Sequence, residues 1–253
     1  MPMPTDPQLK QTFDRDGSVV LRGFLSPAEV ADLWRELDRY KKEVVPTLPP
    51  TEHFYEIKGQ PETLKYLQAL PKHDPYFDRL AKDERFTRLA RLLLNGAVIS
   101  KDISLFDKPP RVGAITPPHQ DGFYFMLEPM EALTFWLALD PVDEGNGCVR
   151  YVRGSHLQGL RLHRRTATLG FSQGISDYGT PEDLKNEVPV PAMPGDLLAH
   201  HCLTTHRADA NTSDRHRNAL GLVYYAARAR MDEKKQDEYR KSLQRELAAA
   251  GKI

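Results

Sequence analysis

The sequence predicts an α+β fold in which helices pack at both ends of an antiparallel β core. Three observations lead there. Before Gly96, apolar side chains recur mostly at helical spacing. After Gly96 the apolar runs shorten and are divided by Gly, Pro, Asn and Asp turns, the pattern of an antiparallel sandwich or barrel. The chain then closes on a charged helical stretch at 232–249. No strand–helix alternation argues for a parallel sheet. A chain of 253 residues, 40% hydrophobic, can bury a large core. No repeat or clear linker divides it, so we expect a single domain spanning 1–253, with a helical part at 1–95 and a β core at 97–226.

Each element has a local reason. Residues 7–16 form a short helix with Leu9 and Phe13 at i, i+4, ended by Gly17; residues 18–22 form a strand. Ser26-Pro27-Ala28-Glu29 is a capping box with proline at the first helical position, and Val30, Leu33, Trp34, Leu37 and Tyr40 make the buried face of the helix it starts. Residues 46–60 read as a loop, 61–70 and 83–94 as helices. Strands follow at 97–106, 132–139, 148–152, 196–206 and 219–226. In the last helix, Tyr239, Leu243 and Leu247 share one side, and the charges form a solvated face.

Composition excludes several functions. Lys plus Arg equals Asp plus Glu at 35 each, so no overall field attracts nucleic acid or an anionic membrane. The two cysteines, Cys148 and Cys202, are read as reduced thiols. The opening Met1-Pro-Met-Pro has no basic start and no apolar run, and no stretch reaches the length of a membrane span. We therefore expect a cytoplasmic protein acting on a small molecule, without nucleic-acid or membrane partners; nothing in the sequence specifies an oligomeric state.

The chemistry centres on Pro117-Pro118-His119-Gln120-Asp121-Gly122-Phe123-Tyr124-Phe125. On an extended strand, positions i and i+2 face the same way, so His119 and Asp121 would present an imidazole and a carboxylate together. A second histidine would complete a set of two histidines and one carboxylate, which leaves coordination positions open and suits non-haem Fe(II). The candidates for it are His200, His201 and His206. Arg217 opens the next strand, where a buried guanidinium can grip a dicarboxylate.

The order His119-x-Asp121, His206, Arg217 resembles the phytanoyl-CoA dioxygenase family of Fe(II)/2-oxoglutarate oxygenases. Lys108-Pro109-Pro110, Phe135-Trp136, Asn146-Gly147-Cys148, Gly154-Ser155-His156 and Gly195-Asp196 add to the resemblance, which covers 97–226. It implies a double-stranded β-helix, the jelly roll of cupin-like proteins, with iron between its sheets. It also implies His119, Asp121 and His206 as catalytic iron ligands, Arg217 as the partner of 2-oxoglutarate, and Gln120, Trp136 and Asn211 as residues lining or supporting that site. The implied cosubstrates are 2-oxoglutarate and O2, with succinate and CO2 released. Because Asp121 is present, the resemblance favours hydroxylation over halogenation. The sequence departs from the family at Ala208, where many members carry a small hydroxyl residue, and at Arg153, where proline is usual.

The stretch 157–188 is long for a connection without regular structure, which points to a specificity element. If extended, Arg161, His163 and Arg165 share a face and form an anion-recognition patch, with Phe123 and Tyr124 also facing substrate. The substrate expected from this is a small polar, anionic metabolite such as a phosphonate or carboxylate. The alternatives are an acyl-CoA, a cupin-like metal enzyme without 2-oxoglutarate, or a metabolite-binding protein.

Overall fold

The computed structural model describes residues 5–166, 168 and 172–249, and of Leu247 only the backbone. Gly170 and Phe171, part of the expected specificity element, lie outside the described residues. Two antiparallel sheets make the core of a jelly roll. The larger runs in the order Ser18–Leu21, Leu197–His201, Ala132–Ala138, Ala219–Ala226, Val98–Phe106, Leu64–Leu67 and His53–Tyr55. The smaller runs Glu187–Val190, Val149–Val152, His206–Ala208 and Thr116–His119.

The outer face of the larger sheet is covered by N-terminal helices. Ser26 caps the helix Pro27–Glu43: the Glu29 amide donates to Ser26 Oγ at 3.3 Å, and the Ser26 amide donates to Glu29 Oε2 at 2.8 Å. Leu37 and Tyr40 on its inner face are completely buried, Leu37 contributing roughly 1.5–3 kcal/mol by leaving water. The helix Glu84–Leu93 buries Phe86, Leu89, Ala90 and Leu93, the face expected from its periodicity.

Several expectations are corrected. Residues 61–70 are not a helix. Pro61–Thr63 is a single 3-10 turn, and Leu64–Leu67 joins the large sheet as a strand, because Tyr66 and Leu67 find partners in Phe106 and Leu105. The expected loop at 46–60 contains the edge strand His53–Tyr55. The single strand expected at 196–206 is two strands: Leu197–His201 belongs to the large sheet and His206–Ala208 to the small one, and the chain turns a corner between them. The described residues of 157–188 include regular structure. They hold a hairpin of His163–Arg165 with Gln173–Ile175 and the helix Pro181–Asn186.

The corner is held from both sides. Gly17 O accepts from the His201 amide at 2.8 Å and from Thr204 Oγ1 at 2.7 Å. Gly17 has φ 74, and a Cβ there would lie 2.4 Å from His156 Nδ1, so only glycine lets the helix end reach the corner. Ser155 Oγ accepts from the Thr205 amide at 2.8 Å and donates to Val152 O at 2.7 Å, which gives the Gly154-Ser155-His156 segment its role.

Candidate metal and cosubstrate site

Two strands of the small sheet deliver the histidines. His119 ends Thr116–His119, His206 opens His206–Ala208, and the two are direct cross-strand partners. Their rings lie 4.2 Å apart between centroids. Each is oriented by the backbone two residues before it: His119 Nδ1 is 2.8 Å from Pro117 O, and His206 Nδ1 is 3.0 Å from Thr204 O. A carbonyl only accepts, so both rings carry the proton on Nδ1 and turn the Nε2 lone pair into the cavity.

Asp121 arrives by a different route from the one expected. It is not on the extended strand. Its backbone is helical, φ −58 and ψ −32, and it leads into the turn Gly122–Phe125. Asp121 O accepts from the Tyr124 amide at 2.9 Å and the Phe125 amide at 3.1 Å. The turn still brings Oδ1 within 3.6 Å of His119 Nε2 and 3.7 Å of His206 Nε2. One atom from each of the three side chains lies within 4.8 Å of the others, a spacing that can hold a metal ion. The outer oxygen, Oδ2, accepts from Thr134 Oγ1 at 2.6 Å and His200 Nε2 at 3.1 Å, and His200 Nδ1 accepts from Tyr151 OH at 2.9 Å. Burial opposes ionisation of Asp121, but His206, His119 and His200 together hold its carboxyl well below the usual range. Burial, reinforced by His119 and His200, keeps His206 neutral by pushing its pKa well below the ordinary histidine value. A carboxylate beside a neutral His206 imidazole is the state a metal needs.

His201, the other histidine candidate, faces away, packing 6.2 Å from Phe13 and 5.6 Å from His156. Burial lowers it to about 4.

These side chains open into a cavity of 770 Å³ between the sheets. Arg217, 4% exposed, lies at one end, its guanidinium 5.2 Å over the Trp136 ring. Its Nε has no hydrogen-bond partner among the described residues. Burial lowers its pKa to about 10, so it remains a cation at neutral pH. A buried guanidinium in that condition is suited to an anion from outside the chain. Lys108 lies beside it, with Nζ donating to Ala114 O, and burial and Arg217 push that amine well below its ordinary value. Ala208, at the family's hydroxyl position, pairs across the sheet with Thr116, and both line the cavity, so a threonine hydroxyl borders the same space.

Other expected site residues do not reach the cavity. Gln120 is fully buried and fully engaged. Its Nε2 donates to Leu203 O at 2.7 Å and Gly159 O at 2.9 Å, and its Oε1 accepts from the Arg161 amide at 2.8 Å. Asn211 spends its Nδ2 on Lys108 O and Arg215 O, both at 2.7 Å, and so fastens the loop ahead of Arg217. Arg161 pairs with Asp183 at 2.7 Å and Asp177 at 2.9 Å. His163 Nε2 accepts from the Gln120 amide at 3.1 Å, and its ring stacks on Phe123 at 4.7 Å. The patch therefore does not form: of its residues only Arg165 lines the cavity, and it pairs with Glu246 at 2.9 Å. Tyr124 does line the cavity.

Sequence reading missed other residues. Thr134 and Tyr151 looked like ordinary strand positions. The helix Glu233–Ala249 does more than present charge to solvent: Gln236, Tyr239, Arg240, Leu243 and Glu246 face the cavity and close one side of it. Tyr239 OH lies 2.6 Å from Ser172 Oγ, joining the helix to the end of the hairpin.

Comparison with known proteins agrees with this geometry. The sequence pattern of the family described as Phytanoyl-CoA dioxygenase (PhyH) matches residues 13–219. Phytanoyl-CoA dioxygenase domain-containing protein 1 of Bos taurus is 28% identical over 255 residues, covering 84% of this chain and 87% of that one. The phytanoyl-CoA dioxygenase of Arabidopsis thaliana is 30% identical over 169 residues, covering 64% and 58%. Among solved structures, the epimerase SnoN in complex with Fe3+, alpha ketoglutarate and nogalamycin RO superposes with a TM-score of 0.70 at 28% identity, covering 88% of this chain and 84% of that one. EctD from S. alaskensis, with 2-oxoglutarate and 5-hydroxyectoine, superposes with a TM-score of 0.75 at 23% identity, covering 90% and 78%, and shares the fold. Matched over most of its length, and with two histidines and a carboxylate converging between the sheets of its jelly roll, the chain belongs to the phytanoyl-CoA dioxygenase family.

Proposed function

We propose that this enzyme hydroxylates a small polar metabolite, consuming O2 and 2-oxoglutarate and releasing succinate and CO2, so that one oxygen atom enters the substrate and the other enters succinate. His119, Asp121 and His206 would hold Fe(II) through two Nε2 atoms and Oδ1. When bound, the metal supplies the dioxygen chemistry. The chain supplies the rest. Backbone carbonyls fix both imidazole tautomers, Thr134 and His200 fix the carboxylate, and Arg217 takes the distal carboxylate of 2-oxoglutarate in charge-assisted hydrogen bonds above Trp136. The observation that carries this reading is the convergence of three ligand atoms in the same cavity as a buried guanidinium whose Nε has no partner among the described residues.

The anionic character expected of the substrate loses its main support, because Arg161 and His163 are engaged away from the cavity and Arg165 is paired. A polar substrate remains, and an acyl-CoA is the reading to test against it. The test is succinate formation from 2-oxoglutarate, dependent on Fe(II) and O2, with amines, polyols, carboxylates, phosphonates and acyl-CoAs offered separately. Anaerobic binding of 2-oxoglutarate to the Fe(II) protein should precede any turnover. A wild-type protein that takes up Fe(II) but no 2-oxoglutarate would sink the reading and favour a cupin-like enzyme of another kind.

A further inference from the structure

The cavity wall across the large sheet from the metal site carries an arrangement with no part in the chemistry above. On the strand Val98–Phe106 the register passes from Val223 opposite Asp102 to Tyr224 opposite Ser100, leaving Lys101 as an extra, bulged residue. Strand alternation would send Lys101 and Asp102 to opposite faces. The bulge lets both line the cavity. Lys101 turns its ammonium over the Tyr225 ring at 5.3 Å. Asp102 Oδ2 accepts from Ser104 Oγ at 2.9 Å. That bond uses the Ser104 proton, so Tyr66 OH, 3.4 Å from Ser104 Oγ, is the donor in the next link.

Beside this chain of hydroxyls stands an aromatic wall. Tyr66 stacks on Phe106 at 4.7 Å and 13°, and Phe54 on Tyr66 at 6.0 Å and 19°. Gly221 is required by it, because a Cβ there would fall 2.6 Å from Phe106 Cε2. The sheet also fixes the span of the site. Asp102 is opposite Val223 and Val223 is opposite Thr134, whose hydroxyl holds Asp121. Two strand spacings, roughly 10 Å, therefore separate the backbones of Asp102 and Thr134, the length of a small molecule. Burial pushes the Asp102 carboxyl up to about 6, against the Ser104 hydroxyl and the Ala69 and Ile103 amides. A partly desolvated carboxylate that lines a cavity is suited to a hydrogen-bond donor from outside the chain.

We propose that Asp102, positioned by Ser104 and Tyr66, is the substrate-recognition group of this cavity and accepts a hydrogen bond from a hydroxyl or protonated amine of a small substrate lying against the Phe54–Tyr66–Phe106 wall. The inference rests on the oxygenase reading above and deepens it. It reverses the sign expected of the substrate, from an anion bound by arginines to a donor bound by a carboxylate. The structural alternative is that Asp102 only fastens the turn at Ala69, whose φ is 57.

The experiment is succinate formation by the full chain with Fe(II), 2-oxoglutarate and O2, comparing an amine pool, a neutral polyhydroxylated pool and an anionic pool of phosphonates, carboxylates and acyl-CoAs. One of the two donor pools should stimulate turnover. For its most active compound, Asp102→Asn should raise KM roughly tenfold or more, the scale of a hydrogen bond to a charged group, and by more than it lowers kcat. Ser104→Ala and Tyr66→Phe keep the carboxylate and should raise KM by less; they carry the test if Asp102→Asn fails to fold. An amine substrate should lose as much in Asp102→Asn as in Asp102→Ala, whereas a hydroxyl substrate should retain part of its affinity in Asp102→Asn. Stimulation by the anionic pool alone, by no pool, or with KM unchanged in these variants overturns the inference. Anaerobic 2-oxoglutarate binding by the wild-type Fe(II) protein separates the failures: its absence there removes the oxygenase reading itself.

Discussion

The two sides of the cavity are built by different means. At the metal side, orientation is largely local: each histidine is fixed by the carbonyl two residues before it, and Asp121 by the turn that follows it, with Thr134 and His200 adding their bonds to its outer oxygen. At the substrate side, apart from the bond between Ser104 and Asp102, the contacts are long-range. Tyr66 reaches Ser104 from a neighbouring strand, Arg165 reaches Glu246, and Tyr239 reaches Ser172 from the C-terminal helix. A short motif can carry the first kind of site intact through divergent sequence. The second kind depends on pairs of segments and can change while the chemistry stays.

The comparison breaks most visibly at the metal. Asp121→Ala removes one ligand and leaves Thr134 and His200 without their acceptor; turnover should fall to the metal-free background, with the fold intact by circular dichroism. Activity equal to wild type would remove Asp121 from the ligand set. Arg217→Ala should come next. Losing a buried charge partner costs about 2–4 kcal/mol, so the 2-oxoglutarate dissociation constant should rise roughly 30- to 700-fold while Fe(II) binding changes little. An unchanged constant, measured by anaerobic titration, would transfer the role to Lys108.

Smaller effects sharpen the same boundary. His200→Ala and Thr134→Val each remove a hydrogen bond to Asp121 Oδ2 without touching a ligand atom. Such supporting groups are worth about 10- to 100-fold in metal affinity. Competition with a fluorescent chelator should register that loss, and a variant matching wild type would show that the turn Gly122–Phe125 alone is sufficient to orient the carboxylate.

What the sequence disclosed follows the same division. His119, Asp121 and Arg217 were legible because a fixed order of residue types marks them, and the antiparallel core was legible from its turn residues. The errors concern partners far along the chain. Residues 61–70 have helical spacing, but Tyr66 finds Phe106 and the segment becomes a strand. His206 is not one of these errors: it stands in the same order of residue types and was singled out with it, and the corner between the sheets is what separates its direction from those of His200 and His201. Arg161, His163 and Arg165 look like a cationic patch because their counterparts, Asp183, Gln120 and Glu246, are 22, 43 and 81 positions away. The bulge at Lys101 has no residue signature, so a reading of 97–106 as a plain strand gives no sign of Asp102 in the cavity.

Arg161 gives the mildest and most discriminating case. As an anion-binding residue it should control substrate KM. As placed, it holds the 157–188 insert to itself, paired with Asp183, which is 4% exposed on its side chain, and with the more exposed Asp177. Arg161→Ala should therefore leave KM for the substrate within about twofold of wild type and act on stability instead. Leaving Asp183 buried without its cation costs several kcal/mol in a fully buried pair, reduced here to about 1–3 kcal/mol because Arg161 is itself 13% exposed and the Thr180 and Gly179 amides still donate to the Asp183 carboxylate. In a chain of this length that corresponds to a melting temperature lower by roughly 2–10 °C. The sign of the pH dependence follows from Asp183. Burial opposes ionisation there, but the pairing with Arg161 and the Thr180 bond hold its carboxyl below the ordinary value, so its contribution is complete above the unfolded carboxylate range and is lost as pH falls through the folded one. The gap between wild type and Arg161→Ala should accordingly narrow in acid. A gap that instead widens in acid, or a KM that rises while the melting temperature holds, would return Arg161 to the substrate and show that the two sides of the cavity are less separate than their construction implies.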